Sequence, residues 1–178
     1  MSRVVNDYYP TPHSIISVLV ERISHWPRSV VWEPCAGDGR LVRALAHHTQ
    51  GEVISHDVTQ GHDFFDWTQA QAPTLVTNPP FRLIRLFIDH AFSIGVERMA
   101  LVCPERLWAC ERGRLQLNRH RPSAFFNLAW REDYLGKGKA PDRALAISIW
   151  DSPSSFATAF DVLGRPNPPS SGQVKEST

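Results

Sequence analysis

Two short loops hold the residue types from which chemistry can be built. The first, Glu33-Pro34-Cys35-Ala36-Gly37-Asp38-Gly39, lies between a β-rich run (SVVWEP) and an amphipathic run (LVRALAHH). Glycines in such a turn let a ligand approach backbone that side chains would shield. A dinucleotide site is not indicated, because Val42 stands where the third small residue belongs, nor a phosphate loop, because no Lys-Ser/Thr pair follows. The carboxylates Glu33 and Asp38 repel a pyrophosphate and suit a ligand with positive charge and hydroxyls. S-adenosylmethionine, with a sulfonium, an ammonium and a ribose diol but no phosphate, has that chemistry. Asp57, 24 residues after Glu33, ends the next strand-like run and is placed to accept from ribose hydroxyls. Alone, the glycine pair is equally compatible with an ordinary turn between surface carboxylates.

The second loop, Asn78-Pro79-Pro80-Phe81, follows the apolar run PTLVT and precedes a helical pattern. Consecutive prolines remove two N–H donors and fix two φ angles, which stiffens the loop and leaves its carbonyls as acceptors. Beside them Asn78 adds a side-chain carbonyl. Such a cluster suits an exocyclic aromatic amine, whose two N–H bonds need partners and whose lone pair is delocalised into the ring. Acceptors held out of the ring plane favour the sp³-like geometry of attack. Phe81 offers a flat face to a base taken out of its stack.

Both loops must be positioned by a sheet. Residues 10–23 begin with Pro10 and Pro12 and place Ile15, Ile16, Leu19, Val20 and Ile23 at helical spacing, opposite Ser14, Ser17, Glu21 and Ser24. Short apolar runs (SVVWEP, EVISHDV, PTLVTNPP, RMALVCP) alternate with amphipathic ones, which predicts βαβ units. The near-continuous apolar character of RMALVCP fits a strand covered on both faces. SAFFNLAW and ALAISIWD are separated by too few residues for an ordinary crossover helix, so they are expected to pair as an antiparallel hairpin. The expectation is a mostly parallel α/β sheet of about seven strands, with one domain over residues 1–151. Residues 152–178, rich in Pro and Ser, are expected to be a largely disordered tail.

Composition narrows the class of protein. The chain has 178 residues, 42% hydrophobic and 21% charged, which is globular rather than disordered. Nineteen basic and eighteen acidic residues give +1, so net charge argues for no polyanionic partner. The distribution does: residues 104–143 carry nine basic against five acidic side chains, among them Arg106, Lys137, Lys139 and Arg143. Arg112, Arg114, Arg119 and Arg121 read equally well as a solvated helix face. Three cysteines without a Cys-x-x-Cys pair fit a reducing compartment. The N-terminus has no signal-peptide pattern and no apolar run reaches 18 residues, so a cytoplasmic protein with no membrane partner is expected. His47, His48, His56 and His62 show no metal-ligand spacing and are expected on the surface or in loops.

Taken together, Tyr9-Pro10-Thr11-Pro12, Glu33-Pro34-x-x-Gly37-x-Gly39, Asp57, Asp63-Phe64 and Asn78-Pro79-Pro80-Phe81 resemble the S-adenosylmethionine-dependent DNA adenine-N6 methyltransferases. The likeness covers roughly residues 7–151 and is greatest to compact phage- or prophage-type members, in the motif order of their gamma class. It implies a Rossmann-like class I methyltransferase fold. It also implies that Tyr9 and Thr11 contact the methionine end of the cofactor, Glu33, Gly37 and Gly39 form its loop, and Asp57 binds its ribose. Asp63 would accept from the cofactor's adenine amine, Phe64 would pack on that ring, and Asn78, Pro79, Pro80 and Phe81 would hold the target adenine. The chain departs from larger members in lacking a recognition domain: about twenty residues separate Pro104 from Ser123. Sequence readout must then be relaxed, come from loops, or be supplied by a protein partner. Related Asn-Pro-Pro enzymes methylate an RNA base amine or a protein glutamine amide, and a non-catalytic nucleic-acid-binding module is the reading from a different class.

Overall fold

The computed structural model describes residues 10–26, 29–49, 51–132, 144–151 and 157–167. Its elements in chain order are α1 (His13–Arg22), β1 (Val31–Glu33), α2 (Arg40–Thr49), β2 (Val53–Ser55), β3 (Thr74–Thr77), α3 (Ile84–Ser93), β4 (Arg98–Pro104), α4 (Glu111–Arg119), β5 (Ala124–Leu128), β6 (Leu145–Trp150) and β7 (Ala159–Leu163). The seven strands form one sheet in the order β2-β1-β3-β4-β6-β5-β7. β1 pairs parallel with β2 and β3, β3 with β4, and β5 with β7, while β6 runs antiparallel between β4 and β5. Helices cover both faces.

Period-two alternation divides the core into two layers. Along β4, Ala100 and Val102 point to the layer holding Ile15, Leu19, Leu41 and Leu45 of α1 and α2. Met99, Leu101 and Cys103 point to the other, against Ile84, Phe87, Ile88 and Ala91 of α3. Every residue of β3 and β6 is buried, as a central strand between two helical layers requires. α1 buries Ile15, Ile16, Val18 and Leu19, adding Val18 to the stripe read from the sequence. Ser14 was expected on the solvent side, yet its hydroxyl donates to the Glu132 carboxylate. That carboxylate also accepts from the Trp130 indole at 2.6 Å and from Arg165 at 3.0 Å, tying α1 to the segments after β5 and β7.

The expected hairpin is present: Ala124 lies opposite Ile149 and Asn127 opposite Ala146 in antiparallel register. The sheet, however, runs past residue 151, where the sequence suggests a boundary. Ala159–Leu163 adds β7 parallel to β5, with Leu163 4% exposed in the core and Phe160 and Val162 exposed at 64% and 53%. A five-residue edge strand of which only Leu163 is buried leaves a weak apolar signal, and its Pro- and Ser-rich neighbours mask it.

Candidate active site

The parallel ladder brings the chemistry-bearing loops to one edge of the sheet. Pairing of Val31 with Val53 and of Glu33 with Ser55 continues beyond the strands, with His56 N donating to Glu33 O at 3.0 Å and Ala36 N to His56 O at 2.9 Å. This sets Asp57 beside the glycine turn, where Gly37 N donates to Asp57 Oδ2 at 2.8 Å. Gly37 and Gly39 have φ of 52° and 76°, left-handed values that a β-carbon would disfavour. On the other side β1 pairs with β3, so Thr77 and Asn78 emerge next to Glu33. Carboxyl ends of parallel strands are where open α/β sheets bind ligands.

A cavity of about 560 Å³ lies along this edge, lined by Thr11, Pro34–Asp38, Asp57–Thr59, His62–Phe65, Asn78–Leu83 and neighbouring side chains. That volume falls within the range of small-molecule sites. It places nine sequence-predicted site residues around one space: Thr11, Gly37, Asp57, Asp63, Phe64, Asn78, Pro79, Pro80 and Phe81. Tyr9, Lys137, Lys139 and Arg143 lie outside the described residues. Arg106 lies outside this cavity, on a neighbouring groove.

Glu33 and Gly39 are not among the lining residues. Glu33 is completely buried beneath the loop, where its Oε1 accepts from Thr77 Oγ1 at 2.5 Å and from Cys35 N at 2.8 Å. Its Oε2 is buried with no hydrogen-bond partner among the described residues. Burial pushes this carboxyl up to about 8, against the two hydrogen bonds that lower it. Glu33 therefore braces the two loops against each other from behind. The neighbouring Cys35 thiol is driven upward, first by burial and then by the Glu33 charge, which leaves it unfit as a nucleophile.

Asp57 has the opposite character. Burial raises its carboxyl, but the hydroxyl and amide of Thr59 and the amide of Gly37 outweigh that, and the net shift is downward. The Thr59 bonds, at 2.6 Å and 2.9 Å, form an Asx-type turn that fixes the carboxylate as an anion at the cavity wall. Asp63 is exposed and caps the next turn by accepting from Phe65 N at 3.0 Å. Phe64 is more enclosed than a ring-stacking residue need be: it is 4% exposed and stacks on Phe87 at 3.7 Å between centroids. Val58, 61% exposed, lines the same wall and is the more accessible apolar side chain there.

At the other end Asn78 Nδ2 donates to Thr11 Oγ1 at 3.1 Å, so the N-terminal segment orients the carboxamide. Thr11 itself is buried, 8% exposed. The proline carbonyls do not all serve as free acceptors, because Pro80 O accepts from Leu83 N at 2.9 Å in the turn that starts α3. Pro80 thus shapes the loop, and Phe81 is half-buried at its rim.

The sequence reading did not single out Thr59, Thr77 or Val58. An Asp-x-Thr turn was a usable signal for Thr59; Thr77 and Val58 carry none before the strands are paired. His56, expected on the surface or in a loop, lies in the loop after β2, half-buried, and accepts from the Trp32 indole at 3.1 Å. It also packs on Trp67, 4.8 Å between centroids, behind the wall that Phe64 and His62 form.

The sheet order, the single antiparallel strand β6 and the glycine turn after β1 define a Rossmann-like class I methyltransferase fold. One solved structure with this arrangement is the methyltransferase subunit of a type I restriction-modification system from Streptococcus thermophilus (TM-score 0.63, 11% identity, 86% of this chain and 47% of that one). Another, from Listeria monocytogenes, is described as a class I S-adenosylmethionine-dependent methyltransferase (TM-score 0.61, 11% identity, 91% and 68%). A third, from Pyrococcus horikoshii, is described as an RNA methyltransferase (TM-score 0.55, 15% identity, 84% and 88%). The chain spans about half the length of the restriction-modification subunit. No protein-family model and no curated protein sequence matches the chain.

Proposed function

We propose that this protein is an S-adenosylmethionine-dependent methyltransferase that modifies the N6 amino group of adenine in DNA. The observation that carries the reading is a single cavity running from the Gly37–Asp57 contact to the Asn78–Phe81 loop. A nucleoside cofactor and a reacting amine would share that space.

The residues present fit the cofactor. Asp57, held ionised by Thr59 and Gly37, presents carboxylate oxygens suited to a ribose diol. Asp38 and Asp63 give the cavity a negative field that favours a sulfonium and an ammonium. Val58 and Phe65 give the adenine apolar surface, and Asp63 is an acceptor for its amine. When bound, S-adenosylmethionine supplies an electrophilic methyl group.

The chain's own contribution is positioning and electrostatics. Asn78, its amide nitrogen held by Thr11 and its carbonyl oxygen buried in this structure, would turn that oxygen to the target amine when substrate binds, and the Pro79 carbonyl would give a second acceptor. These draw the N–H bonds out of the ring plane, so the nitrogen lone pair is available to attack. The methyl group would come from the cofactor's sulfonium, and the amine's surplus proton would leave to solvent. Phe81 stacks on the base, while Arg106 and the basic segment holding Lys137, Lys139 and Arg143 draw in the polyanion.

Incubation with methyl-labelled cofactor and unmethylated DNA, RNA or total protein, followed by digestion to nucleosides or amino acids, tests the proposal. Label in N6-methyldeoxyadenosine supports it. Label confined to RNA bases or glutamine reassigns the acceptor, and no label with no heat of S-adenosylhomocysteine binding overturns the enzyme reading.

A further inference from the structure

A second concavity adjoins the first. The groove, about 720 Å³, runs between α3 and α4 and shares Phe81 and Arg82 with the cofactor-sized cavity. Five guanidiniums face it against one carboxylate, Asp89. Two of the five are committed inward: Arg119 pairs with Asp89 at 3.1 Å, and Arg85 donates to Gln116 Oε1 at 3.2 Å and to the Leu107 carbonyl. Arg82, Arg106 and Arg112 are exposed and make no ion pair among the described residues. Leu86 of α3 and Leu115 of α4, 60% and 46% exposed, both line the groove. Gln116, the groove's carboxamide, is 2% exposed and fully engaged, its Nε2 donating to Arg85 O at 2.8 Å and Asp89 Oδ1 at 3.0 Å.

We infer that this groove binds the nucleotides flanking the target as an extended single strand, with Arg82, Arg106 and Arg112 on successive phosphates and Leu86 and Leu115 against bases or sugars. The inference rests on the proposed nucleic-acid substrate and adds where the polymer lies and how it is read. Continuity decides the occupant. A residue that reacts at Asn78 must have its neighbours begin at Phe81, where the groove opens. The groove has no uncommitted carboxamide, carboxylate or hydroxyl, so its arginines are the side chains left to reach a base edge; with Arg82, Arg106 and Arg112 engaged on phosphates, recognition is mainly by backbone. An acidic amphipathic protein segment fits the charge but has no reason to start at the reacting amine.

The test is fluorescence anisotropy of the full chain with a labelled twelve-nucleotide single strand of mixed sequence, titrated across salt concentration. Calorimetry with S-adenosylhomocysteine runs on each variant alongside. Single Arg82→Ala, Arg106→Ala and Arg112→Ala changes are each expected to weaken the strand about three- to tenfold and to lower the log–log salt slope by about 0.7. Arg114→Ala, on the same helix but outside the groove, should keep the wild-type slope, and scrambling the oligonucleotide should leave affinity within about twofold. S-adenosylhomocysteine binding should be unchanged in Arg106→Ala and Arg112→Ala, which also reports that these variants are folded; for Arg82→Ala, which also lines the first cavity, thermal unfolding reports the fold. Wild-type slopes in all three groove variants overturn the inference even if the cofactor analogue binds. Arginine-dependent strand binding without analogue binding leaves the groove standing and removes the methyltransferase reading. Competition by a duplex at least as strong as by the single strand, or strong competition by an acidic peptide alone, also overturns it.

Discussion

At the residue scale the site separates into groups that would touch ligand and groups that hold them in place. Asn78 belongs to the first, and its Thr11 bond belongs to the second. Asn78→Ala should lower kcat by at least about a hundredfold while S-adenosylhomocysteine affinity changes little, because the lost interaction stabilises the transition state. Single-turnover kinetics beside calorimetry separates the two quantities. Asp57→Ala should do the reverse, weakening the analogue by about 10- to 100-fold through loss of charge-assisted hydrogen bonds. Glu33 yields a pH signature. Its carboxyl stands at about 8 in the fold against 4.5 when unperturbed, so the native state retains a proton that the unfolded chain releases. Stability is therefore highest below about pH 4.5 for this group and is lost as pH rises towards 8. Denaturant midpoints at pH 5.5 and 8.5 should fall for the wild type and flatten for Glu33→Gln, whose amide mimics the protonated acid; an equal slope in both would remove Glu33 as the source.

At the element scale, the contact between α4 and the turn preceding it is set by one absent side chain. A β-carbon on Gly113 would lie 2.7 Å from the Leu107 carbonyl oxygen and 2.8 Å from that of Trp108, both backbone atoms that cannot swing aside. Gly113→Ala, favourable by helix propensity alone, should instead destabilise by about 1–3 kcal/mol through forced backbone movement. The same shift would carry Gln116 away from Arg85 and Asp89, the clip that joins α3 to α4. Thermal unfolding of the variant checks the sign. Strand β7 makes a comparable claim: if the sheet extends to Leu163, Leu163→Ala should cost about 2–5 kcal/mol, a core value that a side chain in a disordered tail could not produce.

At the scale of the molecule, the two core layers converge on one functional edge. The aromatic group of Trp32, Phe64, Trp67 and Phe87 backs the cavity wall from the α3 side. Glu132 joins α1 to the segments after β5 and β7, so the segment bearing Thr11 is anchored through the far end of the sheet. Among the described residues no helix is long and apolar enough to cross a membrane. The described elements present the cavity-bearing edge and an adjoining cationic groove without a separate recognition domain, so on the proposed function backbone recognition is the expected mode of substrate binding.

The alternation of strand and helix, the antiparallel β5–β6 pair and the loops after β1 and β3 are legible from the chain alone, because local periodicity and turn chemistry produce them. So is the placement of the set Gly37, Asp57 and Asn78–Phe81 at the carboxyl ends of neighbouring strands, where the structure has them line one cavity. The division of labour within that set is a tertiary matter. Parallel pairing of β1 with β2 and β3 buries Glu33 while leaving Asp57 at the wall, and so gives two similar carboxylates opposite protonation. Stacking on Phe87 encloses Phe64, and Val58 is left as the more accessible apolar side chain at the cavity. β7 and the groove between α3 and α4 exist only once distant segments meet, since an edge strand and a cationic furrow depend on neighbours that no local pattern encodes.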